Sequence, residues 1–382
     1  MSSGTPFANA VTWVALLSVF GFGIVMALIG AIKLKLAQKL SLNDAQIGKL
    51  ISALLFTSLI MVLVSGPFLD AFGHRLTILI GFVITCIAIA IIGTARTYGA
   101  AVMGCVLLGI GGSGLNTGGN TLIVPAIDPS NPAAANNLGN VFFGMGAFFM
   151  PILIGLALKK LPLARGLTII AVVLLLAIVP VLAAAYPPVN VGFQMSQFFK
   201  LLADIIVWVA GLALLFYIGL EVSMGSWITT YLKSIQFSDE RASGVLSAFW
   251  IALMVGRLAA SQIVQQGMEG GLVLGAAVIA AVAIFTMTRT RSAGMATVAV
   301  VVTGLCFAPI FPTIVGWTFR HFTPDLHGSV FGTIFAIGLI GGTIIPAWIG
   351  SFSQGKSIQQ SLNIAVGASV LLAVFGAVLR AM

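Results

Sequence analysis

The chain has 382 residues, 59% of them hydrophobic and only 7% charged, and its mean hydropathy is +1.14. A soluble domain carries about 25% charged residues, so a water-facing surface is excluded and a polytopic membrane protein is expected. The net charge of +9 comes from 18 Lys and Arg scattered through short polar stretches, with no basic block, which argues for loop or headgroup charges and against nucleic acid.

A helix needs roughly 20 apolar residues to cross about 30 Å of hydrocarbon. That length predicts about twelve spans: 10–32, 45–68, 76–95, 99–125, 136–158, 164–185, 199–232, 242–265, 270–287, 293–319, 328–351 and 360–380. The N-terminal "MSSGTPFANAVTWVALL" has neither a basic region nor a small-residue cleavage site, so its apolar run is expected to remain as span one. Cys86, Cys105 and Cys306 fall inside apolar runs, and His74, His321 and His327 are far apart. No spacing fits a disulfide or a metal, and no cofactor is expected. A Walker A pattern is absent, so the chain does not itself harness ATP.

Taken in order, the spans carry few polar residues. Span two ends in "GPFLDAFGHR", a turn in which Gly73 would close one helix and Arg75 would favour its dipole. Asn43 or Asp44 would cap the start of that span. In span four, Asn116 and Asn120 share one face, and span five opens with Asn136, Asn137 and Asn140. Asn136 reads as a helix cap. The other amides offer both donors and acceptors, which suits a neutral hydroxyl-rich ligand, although interhelical bonding would use the same groups. Glu221 lies in the middle of span seven and Arg257 in span eight. Counting from the turn between them puts the two at roughly 15–18 Å and 22 Å depth. Glu221 has three open readings: a proton carrier, an ionised acceptor for hydroxyl groups, or a structural partner of Arg257. Trp250 and Trp317 are candidates for stacking on the apolar face of a ligand, whereas Trp227 reads as an interface anchor.

The halves look related. "NVFFGMGAFFMPILIG" (140–155) aligns without gaps with "FAIGLIGGTIIPAWIG" (335–350) at an offset of 195, pairing Pro151 with Pro346 and Gly155 with Gly350. Six spans repeated once imply bundles at 1–186 and 201–382, joined by the polar link 187–200, with the solute path between them.

"GPFLDAFGHR" resembles the cytoplasmic loop motif of the major facilitator superfamily. The resemblance implies an all-α fold of two pseudo-symmetric six-helix bundles, working as a monomer in a bacterial inner membrane. It implies gating by Asp70, Gly73 and Arg75, with Arg257 as a counterpart in the second half. Spans four to five, seven to eight and ten to eleven resemble the fucose and glucose/galactose:proton symporter branch. Tyr217, Gly219 and Glu221 match its Y-x-G-x-E pattern, which implies a sugar as solute. Asn116 stands where that branch has an acid, and a second family acid aligns near Gly30. Coupling to protons would then pass through Glu221, and passive facilitation stays open. A facilitator-type exporter of drugs or metabolites and a non-transporting membrane receptor or scaffold are the rival readings.

The family orientation places both termini and the Arg75 loop in the cytoplasm. Lys33, Lys35, Lys39, Lys49, Arg96, Lys159, Lys160, Arg165, Lys233, Arg241, Arg289, Arg291 and Lys356 then fall outside, against the positive-inside tendency.

Overall fold

A computed structural model describes residues 9–187 and 195–382. Residues 1–8 of the expected uncleaved N-terminus and residues 188–194 of the expected link lie outside the described residues. Among the described residues there is no strand. The helices are α1 (Ala10–Leu40), α2 (Asp44–Thr94), α3 (Tyr98–Ile127), α4 (Pro132–Ala157), α5 (Leu163–Leu175), α6 (Ile178–Ala183), α7 (Met195–Leu201) and α8 (Ile205–Ser234). They continue with α9 (Asp239–Ile263), α10 (Glu269–Arg289), α11 (Ala293–Phe307), α12 (Ile310–Phe319), α13 (His327–Ser353), α14 (Ile358–Ser361) and α15 (Asn363–Ala381).

Eleven stretches of helix among the described residues are long and apolar enough to span a membrane. One of them counts twice. A straight helix with the 51 residues of α2 would run about 75 Å, over twice the hydrocarbon thickness. Instead Gly73 adopts φ 82°, ψ 170° and interrupts it. A side chain at that φ would be strained, so the glycine is what allows the chain to reverse there. Twelve crossings result, as the apolar runs predict. The tenth is itself broken between α11 and α12, where Pro309 supplies no N–H.

Local chemistry explains where the helices begin. Asn43 makes a capping box with Gln46, and the side chains of Thr97, Asp204, Ser238 and Ser292 each accept a main-chain N–H of the following turn. At the start of α4 the expectation fails. Asn131, not Asn136, accepts from Ala134 N (3.2 Å), while Asn136 sits inside the helix and donates to Pro132 O (3.0 Å). Pro132 explains the shift, because proline is favoured in the first helical turn and so moves the cap upstream.

Contacts divide the chain into two compact units. The first comprises Met1–Pro129, Phe142–Phe198 and Pro324–Gly332; the second comprises Ser130–Val141, Phe199–Thr323 and Thr333–Met382. The core of the first includes Leu28, Ile32, Leu50, Ile89, Leu108 and Leu167, all fully buried. Large apolar side chains such as Phe56, Ile169 and Trp348 stay exposed, as a lipid-facing surface requires.

The duplication recurs in the packing. In the first unit a Cβ at Gly146 would overlap the Phe20 carbonyl oxygen, and in the second a Cβ at Gly341 would overlap that of Leu215. A Cβ at Gly109 would come 2.8 Å from Leu54 O, and one at Gly304 would come 2.6 Å from Phe249 O. Every one of these pairs is related by the same offset of 195. So are Ser41 (φ 53°) and Gln236 (φ 72°), the left-handed residues that follow α1 and α8. Small residues at helix crossings provide close packing where lipid supplies no hydrophobic drive, and both units use them at equivalent places.

Candidate functional site

In the second unit, Tyr217 and Glu221 stand one turn apart on α8, so they share a face. Arg257 on α9 points at them and is 1% exposed. Two main-chain carbonyls accept from its guanidinium: Nε donates to Ala308 O (3.3 Å) and Nη1 to Asn140 O (3.1 Å). The Ala308 carbonyl is free to accept because Pro312, four residues on, has no N–H to offer it. Nη2 donates to the Tyr217 hydroxyl at 3.4 Å and lies 3.6 Å from Glu221 Oε1.

The last distance is an ion pair but not a hydrogen bond. Glu221 Oε1 is buried and accepts no hydrogen bond, while the Glu221 side chain as a whole stays 15% exposed. The cation is therefore held by carbonyls, whereas among the described residues the carboxylate is held by charge and by the Tyr217 hydroxyl. A buried ion normally costs several kcal/mol of desolvation, offset only when its hydrogen bonds are filled. Arg257 meets that condition and Glu221 does not. A carboxylate in this setting can gain a proton, or accept from a ligand's hydroxyl, without releasing the arginine.

The amides differ from one another. Asn137 Nδ2 donates to Ala133 O (2.9 Å) and Thr313 Oγ1 (3.1 Å), leaving Oδ1 without a partner. Asn140 Nδ2 donates to Asn136 O (3.0 Å), and its carbonyl is one of the Arg257 acceptors. In the first unit, Asn120 Nδ2 donates to both Asn116 Oδ1 (2.8 Å) and Asn116 O (3.0 Å). Asn116 Nδ2 and Thr117 Oγ1 are buried without a hydrogen-bond partner. Each such group costs about 1–3 kcal/mol if left unsatisfied, and the two project about 100° apart around α3.

The loop motif has a geometric reason for each residue. Asp70 is 6% exposed and accepts from Gly328 N (2.8 Å, Oδ1) and Ser329 N (2.7 Å, Oδ2) in the first turn of α13. The negative carboxylate faces the positive end of that helix. Gly66 allows the approach, because a Cβ there would overlap the Gly328 carbonyl oxygen. Gly73 makes the reversal, and Arg75 Nη2 donates to Leu182 O (3.3 Å) at the end of α6. The structure thus brings Asp70 and Arg75 to different partners.

Trp250 stacks edge-on against Phe249 and lies over Gly225, where a Cβ would come 3.0 Å from its ring. Trp317 is 5% exposed and packs on His321 near the end of α12. Trp227 is tied down, its Nε1 donating to Pro346 O at 3.1 Å with Gly350 beneath the ring. Sequence reasoning missed the buried Glu269, which pairs with Arg320 and accepts from Gly267 N (2.6 Å). An acid at a loop margin gave no sign of burial. It also missed Asn131, whose Nδ2 donates to Val264 O (2.7 Å). Among the described residues no cluster of ligating side chains fits a metal ion.

A family model described as Major Facilitator Superfamily matches residues 12–346. The "Probable nitrate/nitrite transporter NarK2" of Mycobacterium tuberculosis is 23% identical over 89% of this chain and 87% of its own length. The vesicular acetylcholine transporter of Rattus norvegicus is 26% identical over 86% of this chain and 64% of its own. A shorter match, 27% identical over 173 residues, covers 35% of the yeast "Bypass of stop codon protein 6". Among solved structures, the E. coli fucose:proton symporter FucP superposes with TM-score 0.82 at 17% identity, covering 97% of this chain and 99% of that one. The proton:xylose symporter XylE gives 0.79 at 13% identity, covering 96% and 94%. These two likenesses are of fold. With twelve crossings, a duplicated packing scheme and a family match over most of its length, the chain belongs to the Major Facilitator Superfamily.

Proposed function

We propose that this multi-pass membrane transporter moves a small neutral polar solute, a sugar, by alternating access, with proton coupling through Glu221. One observation carries the reading. Arg257 is held by two main-chain carbonyls, so Glu221 is free to change its charge or its partner while the arginine stays in place. The unfilled amide of Asn116 and the amides of Asn120, Asn137 and Asn140 supply donors and acceptors suited to hydroxyls, and Trp250 supplies an aromatic face. Asp70, Gly73 and Arg75 act as a gate, with Arg257 as their counterpart. The bundles are 1–186 and 201–382, working as a monomer in a bacterial inner membrane.

Glu221→Gln in proteoliposomes tests this. Sugar counterflow is expected to persist while pH-driven accumulation is lost. Loss of both assigns Glu221 to binding or folding, and loss of neither removes it from the mechanism.

A second reading has one observation in its favour. An under-bonded carboxylate also suits an organic cation, and the chain is similar to a vesicular acetylcholine transporter. Sugar-independent efflux of hydrophobic cations would select that reading.

A further inference from the structure

Apart from Arg75, beside the Gly73 reversal, the lysines and arginines of the first unit gather at one end. Successive crossings alternate in direction, so the end of α1, the two ends of α2, the start of α3 and the α4–α5 turn fall at one end; Lys39 Nζ donates to Gly93 O at 2.7 Å, and a Cβ at Gly93 would come 3.0 Å from Leu167 of α5. At the α4–α5 turn, Lys159, Lys160 and Arg165 are all exposed. Among the described residues none of the three has an ion pair. Beside them is a recess of about 360 Å³ lined by Leu161, Ala164, Arg165, Thr168 and Ile169. Arg165 belongs to both features. Ile169, part of its lining, is itself 51% open.

The combination is selective. A free aqueous anion would leave the apolar recess unfilled, and a neutral lipid would leave three cations uncompensated. A molecule with an anionic head and a hydrocarbon tail satisfies both. Arginine matches phosphate with two parallel N–H bonds, and lysines add point charge. Lysines and arginines at a membrane surface attract anionic headgroups at about 1 kcal/mol each.

We propose that the α4–α5 corner binds an anionic glycerophospholipid, its phosphate on Lys159, Lys160 and Arg165 and one acyl chain along Leu161, Ala164, Thr168 and Ile169. The site is independent of the transported solute.

The test uses the full chain purified in a neutral detergent, with cardiolipin, phosphatidylglycerol, phosphatidylcholine and glycerol 3-phosphate as probes. Native mass spectrometry reads retained lipid, and the thermal midpoint reads stabilisation. Both anionic lipids are expected to bind and raise the midpoint; phosphatidylcholine and glycerol 3-phosphate are not. The triple variant K159Q/K160Q/R165Q should bind cardiolipin about a hundredfold more weakly, close to fivefold for each cation removed. Its midpoint without lipid should match that of the unaltered chain. Lys160→Glu alone, needed if the triple variant does not fold, should lose at least fivefold. The control R291Q/K356Q removes exposed cations of the second unit and should bind normally. Equal binding of phosphatidylcholine, the same stabilisation by glycerol 3-phosphate, undiminished binding by the variants, or an equal loss in the control would each overturn the proposal.

Discussion

Arg257 shows how a charge can be kept inside a membrane protein without relying on its counter-ion. Pro312 frees the Ala308 carbonyl, and that carbonyl with Asn140 O takes two of the guanidinium donors. Removing the arginine therefore exposes more than one deficit: two carbonyls lose a donor and Glu221 loses the cation it pairs with. Arg257→Ala should cost about 3–5 kcal/mol, the usual penalty for breaking a buried pair from one side, read as the loss of folded protein on thermal challenge. The double variant E221Q/R257A should recover part of that cost, because the orphaned carboxylate is then neutral. A double-mutant cycle with no coupling would show that the 3.6 Å pair contributes nothing. The sequence made half of this arrangement legible. Rise counting placed Glu221 and Arg257 at similar depth, but any residue can present a carbonyl, so the main-chain acceptors were invisible. Pro312 was the available signal, since a proline inside a span announces an unfilled carbonyl four residues earlier.

Helices in this protein are positioned by glycines that meet a partner's backbone. Gly146 on α4 and Gly341 on α13 occupy equivalent crossings, each against a carbonyl oxygen with no room to retreat. Alanine at either should cost about 1–3 kcal/mol or more, because backbone cannot rotate away as a side chain does. Gly155 has open space where its Cβ would go, and Ala there should be neutral or gain up to about 1 kcal/mol of helix propensity. Comparing the detergent melting of the three variants checks the distinction; equal losses at all three positions would mean that backbone contact does not decide the outcome. The span positions were legible because twenty-residue apolar runs are a strong signal. The roles of individual glycines were not, since the aligned Gly155 and Gly350 have different surroundings: open space in one case and the Trp227 ring in the other. The Asn136 cap failed for a similar local reason, with Pro132 moving the helix start to Asn131.

At the scale of the molecule, neither compact unit is continuous in sequence. The first takes in Pro324–Gly332 and the second takes in Ser130–Val141. Asp70 bonds into the first of these insertions, and Gly316 packs against Ala133 in the other. Each half of the sequence expressed alone thus lacks a segment its own unit packs around. Chains 1–186 and 187–382 produced separately should be cut readily in limited proteolysis, and co-expression should restore resistance. A lone half as resistant as the full chain would show that the exchanged segments add no stability.

The bond from Trp227 to Pro346 joins α8 to α13 where a proline already weakens the latter helix. Any flexing of α13 at that point must stretch or break the contact, altering the polarity around an indole. With the other five tryptophans replaced, the emission of Trp227 would follow any such bend in real time without an added dye.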